Sequence, residues 1–319
     1  MAESGEQKVC AILLGMGGPD SLDDVRRFLI NIFSDRMIIR LPGGPLLQKP
    51  LAHLITLMRL KKVRTSYAAI GGASPLLQWT RSQAQNIEDT LAPIIPGFKV
   101  FIGMRYFTPT IDDAVKQANE QGFERIVFLS MNPQYCTATT GSYYTEAKKN
   151  VAKYENLEAE YIDNFHDWPE YIDLFKEYIQ NNITDDDVLL YTAHSIPQSL
   201  VDEDDPYVEQ VKKTAELAAD GHPYYLSFQS RTGPVTWVGP DTKDEARRIA
   251  LEKSRPFLVP ISFLCDHIET LHELDIALTE MIKNETGIKI SRMPMFNDDP
   301  RLGQGLANLI MKTIGHDAG

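Results

Sequence analysis

Short runs of apolar and β-branched residues recur along this chain, separated by segments of helical period, and few folds accommodate that alternation. The runs are VCAILLG (9–15), KVFIGM (99–104), RIVFLSM (125–131), DVLLYTAH (187–194), YYLSFQS (224–230) and PFLVPISF (256–263). Such runs read as strands buried on both faces, as in a parallel sheet. Between them SQAQNIEDTLAPII, TIDDAVKQANEQG, DPYVEQVKKTAELAADG and DTKDEARRIALEKS place apolar residues three and four apart, which predicts helices covering the sheet. The pattern also restarts, with AILLGMGGP opening one half and VLLYTAHSIP the other. The expected fold is α/β, with two similar lobes over 1–165 and 166–319, each a parallel sheet flanked by helices. In such sheets ligands sit at the carboxyl ends of strands, so the site is expected in a cleft between the lobes.

A formal net charge of −12 on 319 residues excludes a general nucleic-acid binder, which needs a basic face. MAESGEQKVC has neither the basic start nor the apolar run of a signal peptide, and no apolar stretch approaches about 18 residues, so the expected location is cytoplasmic. The three cysteines, Cys10, Cys136 and Cys265, are far apart and supply no CxxC pair, which argues against a disulfide framework or a four-thiolate cluster. One segment departs from the acidic background: 36–64 holds seven Lys or Arg, no Asp or Glu, and many leucines. Read from composition, it is an ordinary amphipathic helix or a membrane-surface contact, the former favoured.

Candidate chemistry gathers at strand ends. FLCDHIETLHELD (263–275) follows the apolar run 256–263 and carries Asp266, His267, Glu269, His272 and Glu273. At about 100° per residue, Asp266, Glu269, His272 and Glu273 share an arc of roughly 120°, an acidic stripe over 266–275 aimed at the cleft or at water. Asp266 with Glu269 also fits a helix N-cap and its reciprocal partner. His267 and His272 project about 140° apart, so the HExxH zinc arrangement is absent. His194, at the end of DVLLYTAH, is placed where an imidazole accepts and passes on protons near neutral pH. GMGGPDSLDD lacks both G-x-G-x-x-G spacing and the P-loop lysine, so it reads as a tight turn bringing backbone close to a ligand or the other lobe. Ser21 and Asp24 in it have capping-box spacing.

LLGMGGPDSLDDVRRFL, YAAIGGASPL, IGMRYFTPTIDDAV, NPQYCTATTGS, TAHSIP, DPYVEQV, FQSRTGPVTWVGP and VPISFLCDHIETLHELD, in that order, resemble the ferrochelatase family over nearly the whole chain. The resemblance implies two Rossmann-like lobes clasping a porphyrin, and insertion of Fe(II) into protoporphyrin IX to give protohaem, the last step of haem biosynthesis, with no cofactor required. His194 is similar to the family's active-site histidine, with Glu269 facing it, and these two are the expected metal contacts. His267, Glu273 and Asp266 look like its proton or metal track. Met16, Arg105 and Tyr106 match residues on the opposite porphyrin face, while Arg59, Tyr67 and Ser74 match propionate-holding positions. Trp237 and Phe263 match pocket walls. The segment 36–64 corresponds to the family's pocket lip, which turns the balance toward peripheral contact with the inner face of the membrane.

Inserting a dication into a neutral macrocycle releases two protons, so bases near the ring and a path away from it are what the chemistry requires. Animal relatives carry an iron–sulfur cluster on a C-terminal extension. This sequence ends LIMKTIGHDAG and has Cys136 one place off the ligand position, so no cluster is expected. Met16 stands where the coproporphyrin-using branch usually has tyrosine, which makes protoporphyrin the expectation and coproporphyrin III the alternative. Competing readings are a chelatase for sirohydrochlorin-type rings and a tetrapyrrole-binding carrier without turnover.

Overall fold

The computed structural model describes residues 7–233 and 235–315. The opening residues, read above as lacking a signal peptide, lie partly outside that range, as do Pro234 and the final HDAG of the cluster argument. The described residues form eight strands: β1 (Val9–Gly15), β2 (Lys99–Met104), β3 (Arg125–Ser130), β4 (Glu158–Ile162), β5 (Asp187–His194), β6 (Tyr224–Gln229), β7 (Arg255–Pro260) and β8 (Ser291–Arg292). They build two four-stranded sheets, ordered β2-β1-β3-β4 and β6-β5-β7-β8. Within both sheets the named strands pair in parallel. The second sheet thus repeats the topology of the first, as the restart in the sequence predicts.

Alternation along the strands decides what packs where. Cys10, Ile12 and Leu14 of β1 face one way, against Ile111, Ala114 and Val115 of the helix Ile111–Glu120. Thr110 starts that helix with a capping box: its hydroxyl accepts the Asp113 N–H, and the Asp113 carboxylate accepts the Thr110 N–H. Ala11 and Leu13 face the other way, into a hydrophobic cluster that continues through Phe175, Leu306 and Phe296 to Leu189, Tyr191, Phe257 and Val259. Both sheets therefore share one core, lined by the helices Pro169–Asn182 and Pro300–Thr313.

Pro300–Thr313 also reaches back to the helix Leu76–Leu91, and the contact depends on Gly303. A Cβ built there would stand 2.4 Å from Asn86 Cβ and 3.2 Å from the Asn86 carbonyl carbon. Gly303→Val is expected to destabilise the protein by about 2–4 kcal/mol, because backbone rather than a flexible side-chain end blocks the space. Denaturant melts would read this as a lower midpoint at unchanged slope.

Segment 36–64 falls largely in one long helix, Gly44–Ala69, with Pro50 inside it. Along it Leu46 is 90%, Leu54 53%, Leu57 58% and Met58 68% exposed, apolar side chains interspersed with Lys49, Arg59 and Lys61. No helix among the described residues is long and apolar enough to cross a membrane.

Candidate active site

β5 delivers His194 to its carboxyl end, and the chain after β7 turns back over that end to bring up Glu269. His194 Nδ1 lies 2.9 Å from Glu269 Oε2. The strand end is held from two sides, since the His194 N–H donates to Ser262 Oγ (3.1 Å) and the Tyr207 hydroxyl donates to the His194 carbonyl (2.9 Å). The two side chains are 38% and 26% exposed, open to a substrate while partly shielded from bulk water. Burial alone would raise the Glu269 carboxyl, but the charge and hydrogen bond of His194, then the charge of His267, outweigh it and hold it at about 2. For His194, burial works downward, and the Glu269 charge and hydrogen bond, with the Glu273 charge, lift the imidazole above its ordinary value. His194 therefore takes up a proton more readily than a free imidazole and acts as a base above its raised pKa, beside a carboxylate that stays anionic across the neutral range.

His267 sits beside them in a different state. Its Nδ1 accepts the Glu269 N–H at 3.0 Å, which leaves its own proton on Nε2 when the ring is neutral. Burial pushes its pKa down, and Phe263 meets the ring edge-on at 4.3 Å. Glu273 accepts the Ser230 N–H (2.9 Å) and hydroxyl (2.6 Å), and burial together with the Glu269 charge push its carboxyl up. Glu269 and Glu273, four residues apart, are thus driven in opposite directions.

The expected helical wheel over 266–275 does not hold. Glu269–Leu278 is a π-helix, wider than an α-helix, and Asp266 lies before it. The residue capping it is Ile268, with no side-chain cap bond. Asp266 is turned away from the stripe: it accepts from Arg292 (2.9 Å), Asn297 Nδ2 (3.0 Å) and the Thr270 hydroxyl (2.9 Å). Thr270 in turn accepts the His267 N–H, where the sequence placed an Asp266 cap. These partners come from as far as Asn297, beyond any local spacing rule. Ser21 likewise donates to Asp24 (2.6 Å), and the following helix has no side-chain cap.

The remaining candidates lie around this pair. The GMGGP and GGASP loops meet: Ser74 N–H donates to the Pro19 carbonyl (2.8 Å), and a Cβ on Gly18 would stand 2.4 Å from Ser74 Oγ. The tight turn thus approaches the neighbouring loop of its own lobe. Gly17, at φ +83°, makes the bend. Met16 packs partly buried against Phe28, Tyr106 and Phe107. Arg59 spans the lobes, donating to Thr232 Oγ1 (3.0 Å) with its guanidinium over the Phe33 ring. Tyr67 is 3% exposed and packs with Val25, Leu29 and Phe33, near enough to feel the Glu269 charge. Trp237 is half-buried, and its indole N–H has no hydrogen-bond partner among the described residues. Arg105 and Tyr106 converge on Asp35, which accepts from the Arg105 guanidinium (2.7 Å), the Tyr106 hydroxyl (2.9 Å) and the Ser142 hydroxyl (3.1 Å).

Asp35 is a residue that sequence reasoning missed, because nothing in IFSDRM marks it. Gln229 is another: 2% exposed, it donates to the Glu269 carbonyl (3.2 Å) and accepts from Thr192 Oγ1 (2.8 Å), tying the π-helix to β5. Its place as the last residue of a buried strand, just before FQSRTGP turns, was the one available signal. Among the described residues no group of three or more His, Cys, Asp or Glu side chains is placed to hold a metal ion. Cys10, Cys136 and Cys265 are buried free thiols, and burial above all pushes Cys136 up to about 12.

Two like parallel sheets with an acid–base pair at the strand ends define a two-lobed α/β enzyme of the chelatase fold. A sirohydrochlorin chelatase from Bacillus subtilis, SirB, in complex with cobalt matches over 96% of this chain and 95% of its own, with a TM-score of 0.56 at 12% identity. SirB from the same species with Fe3+ matches at 0.57, with 13% identity and the same coverage of both chains. The Ferrochelatase family model matches residues 8–314. Ferrochelatases from Geobacter metallireducens and Aquifex aeolicus are 40% and 35% identical, over 96% and 95% of this chain and 98% of each relative. That of Synechocystis is 38% identical over 96% of this chain and 83% of the relative. The chain belongs to the ferrochelatase family, lyases that insert a metal into a porphyrin.

Proposed function

We propose that this enzyme inserts Fe(II) into protoporphyrin IX, yielding protohaem and two protons. The observation that carries the reading is the His194–Glu269 pair, a lifted imidazole on an anionic carboxylate at the mouth of a strand end. Pyrrole nitrogens bind a metal once deprotonated, so His194 takes a pyrrole proton while Glu269 balances the charge. The same two groups offer an imidazole nitrogen and a carboxylate oxygen to the incoming ion, donors that a first-row dication accepts and leaves readily. Glu273, the more easily protonated carboxyl, and neutral His267 carry protons onward, while Asp266 fixes the turn that presents them. Met16, Arg105 and Tyr106 line the facing side of the ring. Arg59, Tyr67 and Ser74 serve the propionates, and Trp237 and Phe263 form walls. The reaction needs no resident cofactor or cluster. The lobe division near 165 rests on the change of sheet between β4 and β5.

Anaerobic mixing with Fe(II) and either protoporphyrin IX or coproporphyrin III, following loss of free-base absorbance, tests the reading. Turnover on protoporphyrin with at least tenfold preference in kcat/KM is expected, about 1.4 kcal/mol of discrimination. Preference for coproporphyrin would move the assignment to that substrate, and binding without turnover would leave a carrier.

The exposed apolar side chains Leu46, Leu57 and Met58, interspersed with Lys49, Arg59 and Lys61, support peripheral attachment to an anionic bilayer, which also suits a poorly soluble substrate. Replacing all three apolar residues by serine is expected to weaken sedimentation with phosphatidylserine vesicles more than tenfold, since each removes about 1 kcal/mol or more of burial. Unchanged sedimentation would sink the attachment.

A further inference from the structure

Arg105 follows β2 at its carboxyl end, the position in an α/β sheet that faces a ligand. The end of β1 fixes the chain there: the Arg105 N–H donates to the Gly15 carbonyl (2.8 Å) and the Tyr106 N–H to the Met16 carbonyl (3.0 Å). A guanidinium in that place opposes a substrate that is a dication, and like charges repel more strongly in a partly buried cleft than in water. Its surroundings cancel that charge.

Asp35, at the end of the helix Val25–Ser34, is the main counter-charge. Its side chain is 10% exposed and that of Arg105 21%, and Asp35 Oδ2 accepts from Arg105 Nη2 at 2.7 Å. The Tyr106 hydroxyl (2.9 Å) and the Ser142 hydroxyl (3.1 Å) donate to the same oxygen, while Arg105 Nε donates to Ser142 Oγ (2.9 Å), so two edges of the guanidinium are tied. Asp35 Oδ1 is engaged separately by the Met37 N–H at 2.8 Å, which keeps the carboxylate from turning. Burial, then the Asp35 charge, push the Tyr106 phenol up and keep it a donor. Glu146, in the helix Ser142–Val151, brings Oε2 to 3.8 Å from Arg105 Nη1. Its other oxygen is shared with Lys149 at 3.2 Å, so it is the weaker partner.

We propose that Asp35 is a positioning residue for metal insertion: by holding Arg105 with its charge cancelled, it keeps the ring face opposite His194 open to a divalent cation. This role rests on the metal-insertion reading and adds the reason that an arginine is tolerated on that face. Asp35 touches neither ring nor iron and acts through Arg105. Without its negative charge the guanidinium is uncompensated and free to swing toward the cleft. A dication is then repelled, whereas a porphyrin carrying two propionates is attracted, so the two substrates respond with opposite sign.

Steady-state kinetics of the full chain, with Fe(II) and porphyrin varied in turn, test this. Asp35→Asn is expected to raise KM for Fe(II) about tenfold and to leave KM for porphyrin unchanged or lower. Glu146→Gln, which keeps an acceptor for Asn150, is expected to raise KM for Fe(II) about twofold. Adding Arg105→Gln to Asp35→Asn removes the uncompensated charge, so KM for Fe(II) should return to within about threefold of the unaltered protein, whatever happens to kcat. If Asp35→Asn raises both KM values alike, or the double variant recovers nothing, Asp35 serves the fold alone and the role is overturned. Should Asp35→Asn not fold, an unchanged KM for Fe(II) in Glu146→Gln overturns it equally. Binding of porphyrin without turnover by the unaltered protein is a separate result: it removes the metal-insertion reading, and this role with it.

Discussion

Replacing His194 by alanine is expected to lower kcat for metal insertion by about 10²–10⁴-fold, with porphyrin affinity changed by no more than a few-fold. The split follows from position. His194 is held by Ser262 and Tyr207 through its backbone, so alanine keeps the strand end and removes only the imidazole. What is lost is the group that takes a pyrrole proton, needed in the transition state and little needed for binding. Glu269→Gln separates charge from geometry, since the amide oxygen still meets His194 and the negative charge is gone. With that charge the imidazole titrates above its ordinary value of 6.5, so activity is lost as pH falls through the raised value. Without it the acid limb of the kcat profile is expected to move to lower pH. A limb that stays in place, or full activity in His194→Ala, would remove this pair from the mechanism.

The pair also links stability to pH. Glu269 titrates at about 2 in the fold against 4.5 free, so its contribution is complete above 4.5 and fades as pH falls toward 2. His194, raised above 6.5, contributes fully below that value and loses its contribution as pH rises through the folded one. Stability measured across pH is therefore expected to fall off on both sides of the interval in which carboxylate and imidazolium coexist. In Glu269→Gln the acid-side decline should shrink.

What could be read from residues alone was what depends on short-range pattern. Six of the eight strands stand out as apolar runs, and His194 was placed by being last in one of them. β4 was missed because EAEYI sets Glu158 and Glu160 at a sheet edge, where one side needs no apolar neighbour. β8, two residues long, has no pattern to find. The helix after β7 was legible in place and not in pitch: its acidic residues were identified, but a 100° step cannot describe a π-helix, so Asp266 was assigned to a stripe it does not join. Asp35 and Gln229 escaped for another reason. Each has meaning only through partners from other elements, Arg105 and Ser142 for one and Glu269 and Thr192 for the other. The clearest case of such distance is Arg292, in the short strand that no pattern announced.

Arg292→Ala is expected to destabilise the protein by about 3–5 kcal/mol, the largest effect on folding foreseen for a single polar side chain here. Arg292 is 11% exposed along its side chain and grips two carboxylates at once, Asp266 at 2.9 Å and Asp275 with two bonds at 2.7 and 2.8 Å, while Nη1 donates to the Met293 carbonyl. Asp266 precedes the π-helix and Asp275 lies within it, so one guanidinium clamps β8 across the segment that carries Glu269 and Glu273. Without it, Asp266, 15% exposed, keeps only Asn297 and Thr270 as partners and holds an uncompensated buried charge. The penalty is therefore expected to lie in the stranded carboxylate more than in the lost contact. Asp266→Asn added to Arg292→Ala should then recover a good part of the loss, a non-additivity of 1 kcal/mol or more in a double-mutant cycle. Strictly additive melts would show that the clamp acts by packing alone. The same variant ties stability to catalysis: with the turn released, the His194–Glu269 hydrogen bond loses its fixed geometry, so kcat should fall even at temperatures where the protein remains folded.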